Sequence, residues 1–267
     1  MGPKGSCILS IDSLQIGYGS GRKKRILLPQ INASAKSGEM IALIGRNGIG
    51  KSTLLRSIIG LQSFYGGRII INGESITEIP RLELARRIGY ISTEIIRVSN
   101  MTVYDLVSLG RFPHTNWIGR IDDRSRDAIT NAISATGLTR LAGRYINELS
   151  DGERQRVMVA RVLAQDSDIM VMDEPSAFLD LPGKYEIMNL IRNLSLSGKT
   201  VIFSTHDLNI ALRLTDRIWL MLRDRLIEGS PGELLKNGSF DSLFRPDEQG
   251  SGASFASDIQ DYLKNFL

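Results

Sequence analysis

The sequence predicts an α/β protein: a mostly parallel sheet covered by helices on both faces, with an antiparallel β segment ahead of it and a helical insertion within it. Three observations carry this reading. Short apolar runs, "EMIALIG", "DIMVMDEP" and "TVIFSTHD", alternate with stretches of helical periodicity, the pattern of strands buried on both faces and joined by covering helices. The first thirty-odd residues instead alternate apolar and polar side chains around a glycine-rich turn, as half-buried strands do. Between about Asn100 and Glu148 the pattern turns helical and more polar, which marks an insertion.

Taken in order, "CILSIDSLQIGY" and "ILLPQINASAKSGE" read as β-structure, the second with Ile31, Ala33 and Ala35 on one side. The basic run Arg22 to Arg25 between them reads as a solvated hairpin loop. "EMIALIG" is a buried strand, and "KSTLLRSIIGL" is a helix with Leu54, Leu55, Ile58 and Ile59 on one side. "GGRIIINGESI" returns to β with Asn72-Gly73 as its turn. The insertion holds two helices, "TVYDLVSLGRF" and "DRSRDAITNAISATGL", around a loop bearing Pro113 and Gly119. "NELSDGERQRVMVARVLAQ" opens a further helix that Ser150 and Asp151 can cap. Then follow the strand "DIMVMDEP", a helix through "KYEIMNLIRNLSLSG", the strand "TVIFSTHD", a helix "LNIALRLT" and the β-like "RIWLMLRDRLIEGS". In the tail, "ASFASDIQDYLKNFL" places Phe255, Ile259, Tyr262, Leu263 and Phe266 on one face of a short helix, read as packing on its own domain.

The composition is that of an ordinary globular protein, with 267 residues and 42% of them hydrophobic, enough for one large domain or two small ones. No apolar run approaches the roughly 18 residues of a membrane span, and the N-terminus lacks a secretory signal. The expectation is a protein that stays where it is made. Cys7 is the only cysteine, which excludes an intrachain disulfide and a cysteine-based zinc cage and suits a reducing cytosol. A net charge of +4 is too mild to choose between nucleic acid, an anionic membrane and no polyanionic partner at all.

Chemistry concentrates at five places. "GRNGIGKST", Gly45 to Thr53, satisfies the phosphate-loop pattern in full and lies between a buried strand and a helix, as that pattern requires. The backbone of Gly45, Asn47, Gly48 and Gly50 can wrap phosphates, Lys51 reaches the outer ones, and the hydroxyls of Ser52 and Thr53 follow, with Ser52 placed for magnesium. Asp173 ends the next buried strand and can hold that ion through its water shell. Glu174 beside it can orient or deprotonate an attacking water. His206 ends "VIFSTHD" at the same sheet edge, as a structural or a catalytic histidine. Tyr18 follows the first strand and is either core or a platform for a nucleobase. The opening of the helix at Ser150 to Gly152 has the unpaired N–H groups, dipole and close-approach glycine of a second anion site.

In this order and spacing, "GRNGIGKST", "LSDGERQR", "IMVMDEP", "SAFLD" and "STHD" resemble the nucleotide-binding subunit of ATP-binding-cassette (ABC) transporters, a P-loop NTPase, over residues 6–235. The resemblance implies a helical subdomain at about 95–160 and leaves 236–267 as a C-terminal extension. It implies ATP and Mg2+ as ligands. It also implies that "LSDGE" binds the γ-phosphate of ATP held by the phosphate loop of a second copy, so that a head-to-tail homodimer shares both sites. By the same resemblance His206 contacts the γ-phosphate, Asp180 lies at the dimer interface and Tyr18 stacks on adenine. One position departs from the pattern: where the family carries a glutamine that touches magnesium and relays motion to the membrane subunit, this chain has Thr93, followed by Glu94. Either side chain has an oxygen able to reach the ion.

Without a span of its own the chain requires separate integral membrane permease subunits, which places it as a peripheral protein on the cytoplasmic face of the cell membrane. "MTVYDLVSLGRFPH" resembles the importer ATPases for ferric siderophores, haem and cobalamin, which implies indirect work with a periplasmic or lipoprotein substrate-binding protein. The alternative is a non-transport ABC ATPase acting on nucleic acid or the ribosome. Against it stand the short separation of phosphate loop and signature, the absence of heptads and the single cassette; no nucleic-acid partner is expected. A small-molecule kinase or GTPase leaves "LSDGERQR" without a role.

Overall fold

A computed structural model describes residues 5–19, 24–94, 100–115 and 121–244. The two opening β segments expected from the sequence are β1 (Cys7–Tyr18) and β2 (Arg25–Lys36), which pair antiparallel from Cys7↔Lys36 to Tyr18↔Arg25. β3 (Met40–Gly45) leads through the phosphate loop into α1 (Lys51–Ile58). β4 (Gly66–Ile71) and β5 (Glu74–Ser75) complete a four-stranded sheet in the order β2-β1-β4-β5.

α2 (Arg81–Arg87) then leads directly into β6 (Ile88–Ile91). The helical insertion holds α3 (Val103–Ser108), a 3-10 segment (Leu109–His114) and α4 (Asp123–Ala135), followed by the long α5 (Asp151–Ala164). The rest alternates: β7 (Ile169–Met172), α6 (Leu181–Leu196), β8 (Thr200–Thr205), α7 (Leu208–Leu214), β9 (Arg217–Met221), β10 (Leu226–Gly229), α8 (Pro231–Lys236) and α9 (Asp241–Phe244). The second sheet has the order β10-β9-β3-β8-β7-β6. Its pairings are parallel except for the β9–β10 hairpin.

Strand alternation divides the apolar residues between two cores. Ile41, Leu43, Val171, Ile202, Trp219 and Met221 face the antiparallel sheet and α1. Met40, Ala42, Ile44, Met170, Met172, Val201 and Phe203 face α5, α6 and the insertion. A strand buried on both faces needs apolar residues at every position, which is why these segments read as continuous runs. Both cores leave the carboxyl ends of β3, β7 and β8 on one edge, where ligands of parallel sheets bind.

Several details differ from the sequence expectation. "TVYDLVSLGRF" is not one helix: the α-helix stops at Ser108 and tightens into the 3-10 segment that contains Pro113. Gly110 packs so closely on α5 that a Cβ there would lie 2.1 Å from the Arg161 carbonyl oxygen. Arg111, buried beside it, donates from Nε to Ser125 Oγ at 3.3 Å and from its terminal nitrogen to the Ala164 carbonyl at 2.8 Å. α6 begins at Leu181, three residues before "KYEIMNLIRNLSLSG", because Asp180 caps it and Pro182 occupies its first turn. Ser150 alone caps α5, while Asp151 pairs with Arg154. Of the basic run, Arg25 opens β2 and Lys24 lies 4.2 Å over the Tyr65 ring. Arg22, Lys23, Gly119 and the predicted tail helix lie outside the described residues.

Candidate active site

The phosphate loop leaves β3 at Gly45 and enters α1 at Lys51. Gly48 and Gly50 hold φ of +76° and +114°, values that glycine adopts without a steric cost. α1 has no side-chain cap and no acidic residue in its first turn, so its N-terminal N–H groups and dipole stay available to an anion. Lys51 is 7% exposed. Its Nζ folds back to donate to the Gly45 carbonyl at 2.8 Å and to that of Arg46 at 3.3 Å. Burial pushes this ammonium below the ordinary lysine range, and the Glu174 and Asp173 carboxylates oppose that shift.

Asp173 and Glu174 follow β7, and their surroundings differ. Asp173 is 5% exposed; its N–H donates to the Ile91 carbonyl at 2.8 Å, and its Oδ1 accepts from Ser204 Oγ at 2.6 Å. Glu174 adopts φ of +48°, uncommon for a residue with a Cβ. Its N–H donates to Ser204 Oγ at 2.9 Å, and its Oε2 lies 3.5 Å from His206 Nδ1. Thr93 donates from Oγ1 to the Asp173 carbonyl at 3.0 Å. Glu94 is exposed and lines, with Thr93, Arg154, Glu174 and Phe178, a cleft between the insertion and the sheet edge. Lys51, Asp173, Glu174, Thr93 and His206 are thus brought to one edge.

This donor set fits magnesium. Among the described residues no cluster of three or more His, Cys, Asp or Glu side chains gathers, whereas a hard cation that keeps much of its water needs only one or two protein oxygens beside phosphate. Asp173, with one carboxylate oxygen engaged by Ser204, and Ser52 at the start of α1 can supply them.

Tyr18 is 51% exposed at the end of β1, so the core reading of this residue is excluded. Its hydroxyl shares a hydrogen bond with Thr53 Oγ1, which stations the ring beside the phosphate-loop helix. Ser150 and Asp180 each cap a helix. Ser150 caps α5 in a reciprocal arrangement in which its N–H and Oγ meet Glu153 Oε2 at 2.8 and 2.9 Å and its Oγ accepts from the Glu153 N–H at 3.3 Å; that N–H, expected to be open, is therefore paired within the helix. Gly152 has nothing within 4 Å of a Cβ position. Asp180 caps α6 by accepting from the Gly183 N–H at 3.0 Å. The sequence reading missed Ser204. Its signal was a hydroxyl directly after the apolar run "VIF", two residues ahead of His206.

The fold and this edge define a P-loop nucleotide hydrolase. The ABC transporter family model matches residues 28–177, more than half of the chain, and the chain belongs to that family. It is 34% identical over 243 residues to the iron(3+)-hydroxamate import ATP-binding protein FhuC of Bacillus subtilis, covering 90% of this chain and 89% of that protein. It is 36% identical over 236 residues to the achromobactin transport ATP-binding protein CbrD of Dickeya dadantii, covering 88% and 86%. Among solved structures, it is similar to an inward-facing ABC transporter described as of metal-chelate type, with a TM-score of 0.78 at 26% identity over 90% of this chain and 89% of that one. It is also similar to the cassette MJ0796 in a dimeric post-hydrolysis state with ADP and Pi, with a TM-score of 0.72 at 27% identity over 84% and 99%. The chain is an ATP-binding ABC ATPase.

Proposed function

We propose that this protein is the ATP-hydrolysing subunit of an importer that takes up a metal chelate, a ferric siderophore, haem or cobalamin, through separate membrane permease subunits. The import reading is supported by the relatives named for iron(3+)-hydroxamate and achromobactin and by the metal-chelate neighbour. Among the described residues no helix is long and apolar enough to cross a membrane, which agrees with a peripheral subunit on the cytoplasmic face. In this reading residues 6–235 form the ATPase unit, with about 95–160 as its helical part and 236–267 as an extension.

Within the site, Gly45, Asn47, Gly48, Gly50, Lys51 and Thr53 cradle the phosphates, and Tyr18 stacks on the adenine. Ser52 and Asp173 hold Mg2+, with Thr93 or Glu94 in the place of the family's glutamine. That ion neutralises phosphate charge when bound. Glu174 orients the attacking water, and His206 holds the γ-phosphate end of the site.

The observation that carries the shared-site reading is that the chain holds one phosphate loop and one "LSDGE" turn, and the similar cassette MJ0796 is described as dimeric. Ser150 keeps its N–H and Oγ within the cap of its own helix, on Glu153, and in this reading the turn it opens meets the phosphate loop of another copy. ATP then bridges a head-to-tail pair, with Asp180 at the interface, and its hydrolysis loosens the pair. The test is a disulfide between copies. In a Cys7→Ser, Glu174→Gln background, Asn47→Cys combined with Ser150→Cys is expected to cross-link two chains when ATP and Mg2+ are added and not before. Cross-linking that ignores nucleotide, or none at all, sinks the shared site.

A further inference from the structure

We propose that Ser204 is a positioning residue for ATP hydrolysis: its hydroxyl couples the carboxylate of Asp173 to the backbone turn that aims Glu174. The inference rests on the roles assigned above to Asp173 and Glu174. Ser204 is fully buried in β8, beside Val201, Ile202 and Phe203 of the same strand. A buried serine must find partners, and a serine in a strand can take them from nearby backbone. Here both partners belong to the neighbouring β7 strand end, and both are functional groups. The hydroxyl donates to Asp173 Oδ1 at 2.6 Å and accepts from the Glu174 N–H at 2.9 Å.

Each bond does something different. The first is short and runs to a carboxylate, a charge-assisted hydrogen bond that restricts rotation of the Asp173 side chain and leaves its other oxygen for the cation. The second satisfies the N–H of a residue held at φ of +48°, a backbone state that persists only where surroundings impose it. The Glu174 carbonyl in turn accepts from the Ala177 N–H at 3.0 Å, closing the turn that carries Glu174. One proton donor and one lone pair on a single oxygen therefore set both the cation ligand and the carboxylate that faces water.

The test uses the full chain with Ser204→Ala and Ser204→Thr. Cation affinity is read without turnover, from Mn2+ binding to the protein–ATP complex by electron paramagnetic resonance in the Glu174→Gln background. Turnover is read with Glu174 intact, and ATP binding in EDTA serves as the measure of the phosphate cradle. Removing an outer partner of a metal ligand is expected to weaken Mn2+ binding about tenfold and to lower kcat about tenfold or more, while ATP binding in EDTA stays within about twofold. Ser204→Thr keeps the hydroxyl and is expected to hold Mn2+ within about threefold of the parent. Three results would overturn the proposal: Mn2+ affinity unchanged in the alanine variant, loss of ATP binding in EDTA together with a lowered melting temperature, or a folded threonine variant that behaves like alanine. Asp173→Asn in the same background separates the underlying reading. If it leaves Mn2+ binding unchanged, the metal assignment fails; if it weakens binding and Ser204→Ala does not, the Ser204 proposal alone fails.

Discussion

Thr93 and Glu94 stand at the position where the resembled pattern has a glutamine, and their surroundings separate them. Thr93 is half-buried and spends its hydroxyl proton on the Asp173 carbonyl at 3.0 Å, which leaves its oxygen lone pairs facing the site. Glu94 is exposed in the cleft beside Glu174. Thr93→Ala is expected to lower ATPase activity and raise the Mg2+ concentration needed for half-maximal rate several-fold, and Glu94→Ala to do so less, because an exposed carboxylate acts through screened water. Steady-state ATPase assays over a Mg2+ titration check this; unchanged values in both variants remove these residues from the metal site. At this scale "GRNGIGKST" and "IMVMDEP" were legible because phosphate and cation chemistry dictate residue type at a set spacing. Ser204 was not, since its importance comes from a neighbouring strand distant in the chain.

The insertion and α5 act as joined elements, and the junction is a close approach that no side chain can enter. Gly110 lies against the backbone of α5, with 2.1 Å between a Cβ position and the Arg161 carbonyl oxygen. The neighbouring Arg111 and His114 reach the Ala164 and Gln165 carbonyls at 2.8 and 2.9 Å, occupying the carbonyl end of α5 with polar partners. Gly110→Ala is therefore expected to destabilise the protein by about 2–3 kcal/mol, since the obstruction is backbone and cannot rotate away. Urea denaturation measures it, and a change below about 0.5 kcal/mol would contradict the close packing. Helix periodicity located α3 but could not show that the chain tightens after Ser108. That change is imposed by packing on α5 and by Pro113, through an approach invisible to a pattern that counts apolar residues along one helix.

Among the described residues two cores are divided by one sheet, and the starts of α1 and α5 differ. The α1 start is uncapped and lies beside Lys51, whereas the α5 start is capped by Ser150 and Glu153. Glu174→Gln is expected to bind ATP and turn it over very slowly, so that the nucleotide-bridged pair accumulates. Size exclusion with ATP and Mg2+ should show a mass about twice that of the chain; a monomer under those conditions would contradict the shared site. Order along the chain was sufficient to establish the alternation of buried strands and helices, the phosphate loop, the strand-end carboxylates and the family, because each is written in neighbouring residues with a short physical period. Contact in space alone established the Ser204 bridge between Asp173 and Glu174, the exposed Tyr18 on Thr53 and the 3-10 turn at Gly110. These depend on distances between residues tens of positions apart, which hydrophobic periodicity does not encode.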